Sequence, residues 1–130
     1  TLVSTDEEAD LFFDTFVSLM RLCYARKIKD LQLWSEQVAA WGRERQKHFL
    51  AYCQRLVREN FVYNFRQPAM NYMGKREADF AVRFARFINE RNVMGITAEL
   101  ADAERDVEQN VNPRMVFFDM ALRLIVLLIQ

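Results

Sequence analysis

Glycine and proline are nearly missing, with three Gly and two Pro in 130 residues. Sheet-rich folds spend both residues on turns, so this scarcity argues against an all-β architecture and favours long helices. Cysteine is equally sparse: Cys23 and Cys53 stand alone, without a CxxC spacing. That gives no support to a disulfide or a Cys/His zinc cluster, and leaves two buried thiols in a reducing cytosol as the expectation. There is one histidine, His48, and no excess of either charge, because 18 basic residues balance 18 acidic ones. A balanced chain has no global pull toward nucleic acid or an anionic membrane. The stretch from Thr1 to Asp14 is acidic and lacks the basic start of a signal peptide. A cytoplasmic location is expected. The first residue is Thr1 rather than Met, which fits a piece of a longer protein.

Apolar material, by contrast, is plentiful. Hydrophobic residues make up 52% of the chain and aromatics 13%, with eleven Phe. At this length, one domain spanning residues 1–130 buries roughly two-thirds of its unfolded surface and needs no staple. Apolar residues recur at helical spacing almost throughout. Ala9, Phe12, Phe16, Leu19 and Cys23 predict a first helix from about 6 to 25, opened by Ser4 with Glu7 or Thr5 with Glu8 at capping-box spacing. Leu31, Trp34, Val38 and Trp41 predict a second over 27–41, broken at Gly42. Phe49, Cys53, Leu56 and Phe61 predict a third over 43–64. Residues 65–74 carry no period; Pro68 and Gly74 bracket a loop, expected to pack down because it is apolar. A fourth helix over 75–89 turns Phe80, Phe84, Phe87 and Ile88 inward, and a fifth over 92–110 turns Ile96, Leu100, Ala103 and Val107 inward. Asn110, Asn112 and Pro113 form the next turn, with Asn112 as N-cap and Pro113 first in the last helix. The fold class read from this pattern is all-α, a single bundle of about five to six helices.

The last helix, from Pro113 to about Ile129, is apolar on two sides. Met115, Phe118, Leu122, Ile125 and Ile129 form one stripe, and Phe117, Ala121, Leu124 and Leu128 form another. At about 100° per residue the two stripes lie on different faces. Asp119 and Arg123, four apart, make a narrow polar strip that can pair with itself. Such a helix must be covered nearly all round. It either lies centrally in its own domain or shares its faces between the core and a partner. A membrane span needs about 20 apolar residues, more than this helix offers. For the shared case, Phe117, Ala121, Leu124 and Leu128 are the expected subunit interface.

Site chemistry is not assembled by spacing. His48 sits among Arg43, Glu44, Arg45 and Lys47, and Cys53 five residues on points elsewhere on the helix. The acidic pairs Asp102/Asp106 and Glu104/Glu108 lack a His or a second carboxylate helix in register, so a solvated acidic face is expected. A carboxylate metal site on the fifth helix is the enzymatic alternative. No phosphate-cradling glycine loop occurs. No catalytic, cofactor-binding or metal-ligating residue, small-molecule substrate or membrane partner is therefore expected. Residues 43–66 hold six basic side chains against two acidic ones, so a nucleic-acid-binding third helix is a further alternative.

Three stretches resemble a known family. The run from Glu104 to Leu128 (ERDVEQNVNPRMVFFDMALRLIVLL) is similar to the closing helices of bacterial clamp-loader subunits. FLAYCQRLVRENF from Phe49 to Phe61 and FINERNV from Phe87 to Val93 resemble the delta-prime subunits of DNA polymerase III. The resemblance implies an all-helical collar domain that follows an ATPase-type module and joins subunits into a ring. That ring opens a sliding clamp and places it on primed DNA. The family's nucleotide and zinc features have no counterpart here. The resemblance therefore implies other clamp-loader subunits as partners, with DNA reached only through the complex. It also implies a structural role for Asn110, Asn112, Pro113 and the last helix.

Overall fold

Side chains repeating every three or four residues decide the architecture. The computed structural model describes residues 2–64 and 74–129, with side chains from Glu7 onward, and every regular element among them is helical. Six α-helices follow in order: α1 (Leu2–Ala25), α2 (Ile28–Ala39), α3 (Arg43–Tyr63), α4 (Lys75–Phe84), α5 (Val93–Glu108) and α6 (Pro113–Leu128). A single 3₁₀ turn, Ala85–Phe87, extends α4. The all-α bundle expected from the periodicity is what forms. The expected packing of the loop at residues 65–73 lies outside the described residues.

α1 starts at Leu2, four residues before the start expected from the capping-box spacing. Ser4 and Thr5 thus lie inside its first turns rather than at its N-cap. Its stripe is buried from Phe12 to Cys23, with Phe16 and Leu19 fully enclosed, while Ala9 is exposed. Arg26, at φ 57°, turns the chain out of α1 in the left-handed conformation. Gly42, at φ 92°, makes the break before α3, where a side chain would strain the backbone. The fourth helix ends earlier than expected, and the rest of the run tightens into the 3₁₀ turn.

α6 lies between α2 and α5, and α5 in turn packs on α3. α1 touches α2, α3 and α6. An aromatic cluster joins these layers. Trp34 meets Phe49 and Phe117 at ring-centroid distances of 6.1 and 6.0 Å, and Phe49 meets Phe12 at 5.6 Å and Trp41 at 5.4 Å. Cys23 and Cys53 are both buried free thiols. Burial pushes the Cys23 thiol up to about 12 and raises Cys53 as well, so neither carries thiolate at neutral pH.

Three side-chain amides fasten helix ends to one another. Gln46 Nε2 donates to Val38 O and Ala39 O in the last turn of α2. Asn64 Nδ2 donates to Ala85 O and Ile88 O around the 3₁₀ turn. Asn92 Nδ2 donates to Phe87 O and to Leu127 O at the end of α6. Terminal carbonyls of a helix have no intrahelical donor, and here amides supply one in a chain almost without glycine.

Candidate assembly surface

α6 begins where its sequence says it should. Asn112 Oδ1 accepts from the backbone N–H of Arg114 at 3.0 Å, and Pro113 follows in the first turn. Asn110 is left-handed at φ 64°, which an Asn tolerates, and its Oδ1 accepts from Arg43 Nη1 at 2.7 Å. That bond ties the turn to the start of α3.

The two stripes of α6 have opposite fates. Phe117, Ala121 and Leu124 are fully enclosed and Leu128 is buried. This is the stripe expected to meet a partner, and the structure instead places it in the chain's own core. The reason is geometric: α6 is wedged between α2 and α5 with α1 alongside, so this face meets three helices at once. The outward stripe is the other one. Met115, Val126 and Ile129 are 68%, 57% and 62% exposed. Phe118, Leu122 and Ile125 are half-buried beside them. At about 100° per residue these six centre about a third of a turn from the buried stripe. The polar strip pairs as expected: Arg123 Nε donates to Asp119 Oδ2 at 3.1 Å, and Arg123 also lies 3.7 Å from Glu99.

The basic residues of α3 are largely committed to partners within the chain. Arg43 bonds Asn110, Arg45 lies 3.5 Å from Glu8, and Lys47 bridges to Glu108 at 2.5 Å. Arg55 pairs with Glu59 and Glu77 at 2.9 and 3.1 Å. Arg66 lies outside the described residues. His48 is exposed, 3.9 Å from Glu8. On α5, Glu104 accepts from Gln54, Glu108 pairs with Lys47 and Asp102 with Arg105, so the acidic pairs point to different partners. Among the described residues no group of three or more His, Cys, Asp or Glu is placed to hold a metal ion. No helix among them is long and apolar enough to cross a membrane.

One polar cluster escaped the sequence reading. Tyr52 Oη donates to Glu77 Oε2, and Arg55 reaches both Glu59 and Glu77, joining α3 to α4. Glu77 also accepts from the Gly74 N–H. Of its contacts only Arg55 to Glu59 is local, at a spacing of four on α3. Burial by itself would raise the Glu77 carboxyl. The Tyr52 and Gly74 hydrogen bonds and the Arg55 cation outweigh that and hold it below its ordinary 4.5. A carboxyl with a depressed folded value stabilises the fold above its unfolded value, and that contribution fades as pH falls below 4.5. Replacing Arg55 with Met leaves Glu59 and Glu77 facing each other without a cation. We expect a loss of about 2 kcal/mol near neutral pH, discounted for the partly exposed guanidinium. Urea melts of both proteins should show the difference narrowing on acidification below 4.5. A difference that stays constant with pH refutes the assignment.

Comparison of the chain with protein-family models, curated proteins and solved structures finds no match.

Proposed function

We propose that this chain is a non-catalytic subunit-assembly domain, of the kind that forms the collar of a clamp loader. One observation carries the assembly half: α6 satisfies the core with one apolar face and still presents Met115, Val126 and Ile129 to solvent on the other. Scattered apolar residues are ordinary on a surface, but a continuous stripe rimmed by the Asp119–Arg123 pair is a surface built to be covered. The clamp-loader half rests on the resemblance of Glu104–Leu128, Phe49–Phe61 and Phe87–Val93. In this reading the partners are other clamp-loader subunits in a cytoplasmic replication complex, and the chain reaches DNA only through them. The basic α3 offers less to a rival nucleic-acid interface, since Arg43, Arg45, Lys47 and Arg55 already have partners.

Co-expression with the clamp-loader subunits of the same source, followed by size exclusion, tests the proposal. The unmodified chain should co-elute with them. Val126→Glu combined with Ile129→Glu should weaken that association at least about tenfold, while the melting temperature of the isolated chain stays unchanged. Failure of the unmodified chain to co-elute with any subunit sinks the clamp-loader assignment. Undiminished assembly of the double variant sinks the α6 surface.

A further inference from the structure

A cavity lies on another side of the molecule. It is a trough of about 890 Å³ between α1 and the α4–3₁₀ segment. The two walls run side by side in the same direction. Arg76 meets Asp10 and Asp14, Phe80 meets Phe13 and Phe16, Phe84 meets Phe16, and Phe87 meets Tyr24. These contacts are made by long side chains, and the trough opens between them.

Its two ends differ in charge. At one end Arg76 binds Asp10 at 3.2 Å and Asp14 at 2.7 Å, so that end is closed by a satisfied bridge. The middle is apolar, walled by Phe13, Val17, Phe80 and Phe84. At the other end stand three guanidiniums: Arg21 on α1, Arg83 on α4 and Arg86 on the 3₁₀ turn. None of the three has a carboxylate partner among the described residues. Arg86 lies over the Phe87 ring at 5.3 Å. Asp79, a turn before Arg83 on the same wall, makes no ion pair there either. Three guanidiniums without an ion pair beside an aromatic-walled trough outnumber the Asp79 carboxylate on that wall and favour an anion there. Guanidiniums match carboxylate and phosphate oxygens in geometry as well as charge.

We propose that this trough binds an amphipathic organic anion, with an elongated apolar body along Phe13, Phe80 and Phe84 and one acidic head among Arg21, Arg83 and Arg86. A fatty-acid carboxylate is the simplest member of that class. The cavity has the volume of a small-molecule site, which typically falls at roughly 300–1,000 Å³. An acidic partner helix fits less well. Its carboxylates are spread along its length, whereas the cations here gather at one mouth and the opposite end carries Asp10 and Asp14.

Calorimetric titration of the whole chain with dodecanoate, below its micelle-forming concentration, tests this. Saturable binding of one molecule per chain is expected, at least about tenfold tighter than dodecanol. Arg83→Glu with Arg86→Glu should weaken it at least about tenfold. Both residues are exposed, so circular dichroism should show an unchanged fold; the milder pair Arg83→Gln and Arg86→Gln repeats the measurement if it does not. Absence of saturable binding, equal affinity for dodecanol, or unchanged affinity in the folded variants overturns the proposal. So does association with anionic vesicles alone and not with monomeric dodecanoate. The readout is independent of subunit co-elution, so either proposal can fail without the other.

Discussion

Leu124→Glu is expected to unfold the domain, while Val126→Glu two residues on leaves it folded. Leu124 is fully enclosed and Val126 is 57% exposed. Removing the leucine forfeits about 2 kcal/mol of apolar burial. The introduced carboxylate then has no cation in that part of the core, and burying it costs several kcal/mol more or forces it to take up a proton. Together these approach the whole stability of a typical domain, about 5–15 kcal/mol. A glutamate at position 126 meets water, and its effect should stay within about 0.5 kcal/mol. Leu124→Ala is the graded control, at about 3 kcal/mol from lost contacts and the cavity left behind. Circular dichroism melts of the three variants read the result directly. A cooperative melt for Leu124→Glu within a few degrees of the unmodified chain overturns the placement of α6.

That contrast also shows what the sequence could not decide. Both stripes of α6 are apolar and both keep helical spacing, so composition does not say which one turns inward. The choice is made by α1, α2 and α5, whose side chains leave a slot for Phe117, Ala121 and Leu124 and none for Met115 or Val126. Two local signals held. Gly42 breaks the chain between α2 and α3, and Asn112 with Pro113 opens α6, because capping and positive φ depend on a few adjacent residues. The burial of Phe16, Phe49, Leu100 and Val107 followed from period alone. The start of α1 was missed because Ser4 and Thr5 look like caps but helix continues through them. The α1–α4 trough was also illegible. Arg21, Arg83 and Arg86 are far apart in sequence, or read as ordinary surface charges, until α4 lies beside α1. Gln46, Asn64 and Asn92 gave no signal either. An amide on a helix or turn has many ordinary uses, and its partners here are carbonyls up to 35 residues away.

Asn92→Ala is expected to cost about 3 kcal/mol, more than a surface Asn ever does. The side chain is fully enclosed. Its Nδ2 donates to Phe87 O at 2.8 Å and Leu127 O at 3.1 Å, and its Oδ1 accepts from the Asn89 N–H at 2.9 Å. Three elements meet in that one amide: the 3₁₀ turn, the entry to α5 and the last turn of α6. Truncation leaves Phe87 O without this donor and Leu127 O with only the Ile129 N–H, and each buried group left unpaired costs about 1–3 kcal/mol. The Asn89 N–H keeps a second route to water because Asn89 is only half-buried. For a domain of this size the loss corresponds to a melting-temperature drop on the order of 10 °C. Asn64→Ala removes a similar pair of bonds, but Asn64 is exposed and water replaces them, so about 1 kcal/mol is expected. Asn92→Asp separates hydrogen bonding from packing. It keeps the shape, loses both donors and sets a carboxylate against the Phe87 and Leu127 carbonyls. It should therefore be worse than Asn92→Ala near neutral pH. Burial and those carbonyls raise the folded pKa of the introduced carboxyl above its unfolded value. The penalty is then largest above the folded value and is relieved as pH falls through it, when the protonated group regains one donor. Urea melts between about pH 7 and pH 4 should show Asn92→Asp gaining on Asn92→Ala as acid is added. If the two variants keep a constant difference over that range, the amide is not the joint described here.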